Sequence, residues 1–161
     1  MQMKKSKLER LLEENHRDAY LWARQCCRFD EDRAKDVLQN VYLKILEGKA
    51  VYKEKAPFKT WLFSVIRFTT LEDFREVVNM QELPEQLPMM EVAEEESPNC
   101  ELLLLRLPER QREVLLLVFY HQHTLSEVAE ILEISLGSVR THYQRGKDQL
   151  KKMMTKEVKH E

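Results

Sequence analysis

Glycine is scarce, at three in 161 residues, and proline is held to five. Those residues punctuate turns and interrupt helices, so a chain this poor in them is not assembled from many short strands and tight turns. Sheet periodicity is missing too, because no stretch alternates apolar and polar residues long enough to form a half-buried strand. Every periodic segment repeats with helical spacing, and the expected fold class is all-α. Long apolar runs are absent. The two richest, Leu102 to Leu105 and Val114 to Tyr120, are separated by Arg106, Pro108, Glu109, Arg110, Arg112 and Glu113, and neither reaches the roughly 20 residues of a membrane span. The N-terminal MQMKKSKLERLLEEN lacks the continuous apolar region and small-residue cleavage site of a secretory signal, so a cytoplasmic location is expected.

Cysteine is limited to Cys26, Cys27 and Cys100. An odd number with two neighbours does not suit a disulfide framework, which points to reduced thiols. His121 and His123 have no second Cys or His pair at ligand spacing, so neither a metal site nor a cofactor is expected. The acidic group Glu94 to Glu96 and the two histidines are the only candidates for chemistry, and neither comes with a convergent nucleophile, base and oxyanion donor. An enzyme is not expected.

The formal net charge of −2 conceals an uneven distribution. Residues 1–75 hold 16 basic against 12 acidic side chains, residues 76–105 none against 8, residues 106–135 hold 3 against 5, and residues 136–161 hold 7 against 3. Two basic ends flank an acidic middle, a local pattern compatible with nucleic-acid binding that the whole-chain value hides. Within the acidic part, 80–99 contains Pro84, Pro88 and Pro98 with six glutamates and no basic residue. That composition makes a poor core, so two small helical domains, 1–79 and 100–161, joined by an acidic flexible linker are expected.

The most informative stretch is TLSEVAEILEISLGSVRTHYQRGKDQL, from Thr124 to Leu150. Thr124 and Glu127 are spaced as a capping box; Val128, Ala129, Ile131 and Leu132 give the first helix a buried face, and Ile134 plugs the corner. Ser135 then caps a second helix, in which Val139, Tyr143, Gly146 and Leu150 form one stripe at offsets of four, three and four. This is a helix-turn-helix pattern. Its outward set, Ser138, Arg140, Thr141, Gln144, Arg145 and Lys147, is of the kind that reads a major groove, where arginine can grip guanine and glutamine adenine through paired hydrogen bonds. Upstream, Cys100 to Arg106 and Glu109 to His121 read as helices, with Pro108 in the first turn of the second and Val114, Leu115, Val118 and Phe119 as a packing surface.

In the N-terminal half, Leu8, Leu11, Leu12, Ala19, Trp22 and Cys26 predict one amphipathic helix over roughly Lys4 to Arg28. Asp30 caps a second, whose Ala34, Val37, Leu38, Val41, Tyr42 and Ile45 fit the helical template and whose outer face carries Asp32, Asp36, Gln39 and Asn40; Gly48 ends it. The loop GKAVYKEKAP follows, and Pro57 starts a third helix with Phe58, Trp61, Leu62, Val65 and Ile66 inward. Tyr52, Lys53, Lys55, Lys59, Phe63, Arg67 and Phe68 then combine cations with aromatics, the mixture on which unpaired bases stack while phosphates pair with lysine and arginine. The competing expectation is that Tyr52, Phe63 and Phe68 only complete a small core.

The segments LPERQREV, LSEVAEIL and ISLGSVRTHYQRG, with EDRAKDVLQNVYLKIL and FKTWLFSVIR before them, resemble the small two-domain sigma factors of the extracytoplasmic-function group of bacterial RNA polymerase. The resemblance covers nearly the whole chain. It implies that 1–79 is a sigma domain 2-like unit binding core polymerase and the −10 element, and that 100–161 is a sigma domain 4-like helix-turn-helix binding the −35 element. By the same resemblance Asp32, Asp36, Gln39 and Asn40 form the face toward the β′ clamp. The loop Lys49 to Lys59 matches the segment that holds a flipped base, which assigns Tyr52, Lys53, Lys55, Lys59, Trp61, Phe63 and Arg67 to −10 binding and melting. Ser138, Arg140, Thr141, Gln144, Arg145 and Lys147 match the −35 readers. The implied partners are core polymerase, through its β′ clamp and β subunits, promoter DNA and an anti-sigma factor. Glu133 departs from the glycine the family often has at the corner, where a positive φ would cost a non-glycine residue on the order of 1 kcal/mol. The alternative is a free-standing helix-turn-helix regulator that binds operators as a dimer, although no obvious dimerisation helix accompanies it.

Overall fold

The computed structural model describes residues 4–80 and 100–158. The segment 81–99, where the acidic linker is expected, lies outside them. Every regular element among the described residues is helical, and these residues form two units.

The first unit comprises α1 (Lys5–Glu14), α2 (His16–Cys26), α3 (Glu31–Leu46) and α4 (Phe58–Met80). The single helix predicted over Lys4 to Arg28 is two helices. Asn15 separates them with φ −102° and ψ 5°, and its side-chain amide donates to the Leu11 carbonyl at 2.8 Å. Asparagine competes with helical hydrogen bonding in this way, so a break occurs although the apolar spacing runs on across it. Asp30 caps α3 by accepting the Arg33 N–H at 3.1 Å. The helix buries Ala34, Val37, Leu38, Val41 and Ile45. Gly48 follows at φ 79°, a conformation glycine adopts without strain.

Helix α4 differs from its expected orientation. Phe58, Leu62, Phe63 and Ile66 are buried, whereas Trp61 and Val65 are only half-buried. The cause is that α4 packs against both α2 and α3, so its inward stripe is wider than one periodic face. Phe63 is fully buried and stacks on Trp22 with centroids 5.5 Å apart and planes 2° from parallel. The Trp22 indole N–H donates to the Phe63 carbonyl at 3.1 Å. At the end of α2, Cys27 is a buried thiol whose pKa is pushed up to about 11, chiefly by that burial.

The second unit holds α5 (Cys100–Leu105), α6 (Glu109–Leu115), residues 125–129 of α7 (Leu125–Leu132) and α8 (Leu136–Val158). Pro108 is the residue before α6 rather than within its first turn. The helix predicted as far as His121 changes at Leu116 into a π-helical turn over Leu116–Tyr120, in which the His121 N–H reaches the Leu116 carbonyl, five residues back, at 3.1 Å. The wider turn shifts the register. Leu116 and Leu117 become buried, and Phe119, expected in the packing surface, is 61% exposed.

Candidate nucleic-acid and polymerase interfaces

The helix-turn-helix is assembled from local hydrogen bonds. Thr124 Oγ1 accepts from the Glu127 N–H at 3.1 Å while Glu127 Oε1 accepts from the Thr124 N–H at 2.9 Å, so both halves of the capping box are made. Glu133 occupies the corner in left-handed conformation, φ 56° and ψ 43°. Ser135 Oγ accepts the Ser138 N–H at 3.1 Å and starts α8. Val139 and Gly146 are buried, whereas Tyr143 and Leu150 are half-buried. A Cβ built on Gly146 would lie 3.2 Å from Leu115 Cδ1 and 3.3 Å from Gln111 Cβ, so the missing side chain is what lets α8 approach α6 this closely.

This packing turns Arg140, Thr141, Gln144 and Arg145 to solvent. Two members of the expected set are committed elsewhere. Ser138 is half-buried, with its hydroxyl 2.9 Å from Ser135 Oγ within the cap. Lys147 lies over the Tyr143 ring, its Nζ 4.2 Å from the centroid, which anchors the cation to the helix surface. The Gln144 amide donates to Asp148 Oδ1 at 3.2 Å, a solvent-exposed contact that another partner can replace.

The loop between α3 and α4 is closed by the Tyr52 hydroxyl, which donates to the Ala56 carbonyl. Burial first, and the Glu54 carboxylate second, raise the Tyr52 phenol above its ordinary pKa. Its ring meets Phe58 edge-on at 5.3 Å and Trp61 at 5.2 Å. Lys53 and Lys55 project from the loop into solvent. Arg67 is half-buried on α4. Lys59 is also half-buried, 3.3 Å from Asp18 Oδ2 and 5.6 Å from the Phe63 centroid, which makes it a strut between α2 and α4. Phe63 requires a correction: expected among the base-contacting aromatics, it has no exposed surface and belongs to the core.

On α3, Asp32, Asp36, Gln39 and Asn40 are all exposed, opposite the buried stripe. Beside them runs a groove of about 530 Å³ lined by Leu38, Tyr42, Leu43 and Leu46, with His16, Tyr20, Lys35 and Gln39 at its margins. His16 Nδ1 and the Tyr42 hydroxyl are hydrogen-bonded across it at 2.7 Å, and burial raises the Tyr42 pKa to about 12. Sequence reasoning missed this groove. Its signal was present in Leu43 and Leu46, apolar residues off the buried stripe and 47% and 41% exposed. A second apolar groove, of about 500 Å³, lies in the other unit between Leu115, Phe119, Leu150 and Met154, with Lys147 and Lys151 on its rim. Among the described residues no three metal-ligating side chains converge.

The family models for Sigma-70 region 2 and Sigma-70, region 4 match residues 11–77 and 101–150. RNA polymerase sigma factor YlaC of Bacillus subtilis is 30% identical over 140 residues, spanning 78% of this chain and 79% of that protein. The chain belongs to the sigma-70 family of RNA polymerase sigma factors. Likeness to the ECF RNA polymerase sigma factor SigX of Bacillus subtilis, 27% identical over 157 residues and covering 86% of this chain and 79% of that one, places it with the extracytoplasmic-function group. Among solved structures, a sigma factor RpoE crystallised with the anti-sigma factor NepR from Bartonella quintana has the same fold. Its TM-score is 0.75 at 16% identity, with 92% of this chain and 97% of that one covered. Region 2 of this sigma factor thus holds α3, the aromatic loop and most of α4, and region 4 ends at Leu150 on α8. A free-standing operator-binding regulator does not account for a region 2 match over 11–77.

Proposed function

We propose that this sigma factor binds core RNA polymerase, directs it to promoters and assists in opening the DNA, with no chemistry of its own. The observation that carries the reading is that α3 and α8 each present exposed polar or cationic side chains opposite a buried stripe, while the loop between α3 and α4 sets exposed Lys53 and Lys55 beside the half-buried aromatics Tyr52 and Trp61. The α3 face of Asp32, Asp36, Gln39 and Asn40 is assigned to the polymerase, against the β′ clamp. The loop with Tyr52, Lys53 and Lys55, together with Trp61 and Arg67 on α4, is assigned to the −10 element. Arg140, Thr141, Gln144 and Arg145 are assigned to the −35 element, with Ser138 and Lys147 as flanking contacts.

The domain limits that go with this reading are 1–79 and 100–161, and its place of action is the cytoplasm. Two solved relatives by fold, RpoE with NepR and CnrH with the cytosolic domain of CnrY, are complexes; an anti-sigma factor is accordingly proposed as a partner here, beside the β′ and β subunits. The test is transcription from candidate promoters by core polymerase with and without the purified chain, alongside DNA binding by the chain alone. Promoter-specific transcripts only when both are present support the reading. Tight operator binding by the isolated chain, without any effect on core polymerase, would replace it with the regulator alternative.

A further inference from the structure

Lys44 stands on α3 one helical turn beyond Asn40 and does two things at once. Its side chain crosses to α4, where Nζ lies 2.5 Å from Glu72 Oε1 and 3.2 Å from Thr69 Oγ1. Nζ is also 5.7 Å from the centroid of Phe68, whose ring covers one side of the ion pair. Its main-chain carbonyl, meanwhile, accepts two N–H groups from the start of the loop, Lys49 at 2.9 Å and Ala50 at 3.1 Å. The residue that receives the loop is therefore the residue fastened to the helix that carries Trp61. Two residues after Ala50, Tyr52 lies against that same Trp61.

We infer that Lys44 is a positioning residue, which sets the loop assigned above to the −10 element against the helix that carries Trp61. The inference rests on the promoter-opening function proposed above. Stability alone does not explain the arrangement, because the Lys44 and Glu72 side chains are 29% and 44% exposed and ion pairs so placed contribute little to folding. Orientation is a different matter. A binding site needs its walls held in place, and two hydrogen bonds from one ammonium, to the Glu72 carboxylate and the Thr69 hydroxyl, have a directional preference that apolar contact lacks.

The experiment uses the full chain assembled with core polymerase. Lys44→Met keeps the aliphatic stem and removes the ammonium, Glu72→Gln removes the opposite charge, and the reciprocal pair Lys44→Glu with Glu72→Lys restores attraction with the charges exchanged. Open complex is read by permanganate reactivity on duplex promoter, −10 capture by affinity for a single-stranded −10 oligonucleotide, and scaffold integrity by core affinity and thermal midpoint. Each single variant is expected to lower opening and oligonucleotide affinity about three- to fivefold, with core affinity within about twofold of wild type, as befits loss of one partly exposed ion pair. The reciprocal variant is expected to recover most of the loss. Wild-type opening by Lys44→Met would overturn the inference. So would a fall in core affinity and thermal midpoint parallel to the fall in opening, or failure of the reciprocal pair to recover anything. If the wild-type chain itself fails to open promoters with core polymerase, it is the functional reading that fails.

Discussion

Arginines on one helix can differ from lysines further along it because of where the backbone places them. Arg140 and Arg145 are exposed within the first ten residues of α8, the part that enters a major groove in this motif, while Lys151 and Lys152 lie beyond Leu150. Replacing Arg140 or Arg145 with alanine should therefore cost about 1–3 kcal/mol of promoter affinity and relax preference at one base pair. Replacing Lys151 and Lys152 should weaken all sequences alike and flatten the salt dependence, since fewer counterions are released. Binding to wild-type and singly substituted promoters at several salt concentrations checks both; a uniform loss for the arginine variants would make them phosphate anchors. The aromatics divide in the same way. Phe63→Ala should destabilise the first unit by about 3–5 kcal/mol, because it empties a buried stack against Trp22. Tyr52→Ala should destabilise that unit by less, since its ring is only half-buried at the loop against Phe58 and Trp61, and should reduce strand opening. Paired urea melts and permanganate footprints separate the two effects, and equal destabilisation by both variants would refute the division.

Elements whose ends are written in local chemistry were legible in the sequence. Asp30, Thr124 with Glu127, and Ser135 each satisfy orphan N–H groups a few residues away, so their identity alone located a helix start. The break at Asn15 was not legible from periodicity, because the apolar spacing continues through it. Phe63 was misplaced because the width of α4's buried face depends on how many helices pack on it, which is a tertiary fact. Phe119 was misplaced because a π turn changes register without any signal in apolar spacing. The corner of the helix-turn-helix offers a test at this scale. Glu133 holds φ 56°, so Glu133→Gly should relieve the left-handed cost, partly offset by the greater freedom of glycine in the unfolded chain, for a net gain of up to about 1 kcal/mol. Thermal denaturation decides it, and a clear loss would show that the glutamate side chain contributes at the corner.

Across the whole molecule, polymerase binding and DNA binding are assigned to surfaces of different character, which makes them separable by mutation. The α3 face proposed for the polymerase has two carboxylates, two amides and an adjoining apolar groove, whereas the faces proposed for the promoter are cationic and aromatic. Charge reversal at Asp36 combined with Gln39→Ala alters the first surface alone. Both side chains are exposed, and the buried stripe beneath them, Ala34, Val37, Leu38 and Val41, is untouched. Helicity and melting temperature should hold. Affinity for core polymerase should fall at least about tenfold, because a reversed charge at an interface adds repulsion to the lost contact. The isolated chain should retain its affinity for a −35 duplex, since α8 is unaltered. Core affinity by fluorescence anisotropy and −35 binding by titration, on the same preparation, give the comparison. A folded double variant with undiminished core affinity would remove the polar face of α3 from the polymerase interface and leave the adjoining groove of Leu43 and Leu46, on the same helix, as the surface to mutate next.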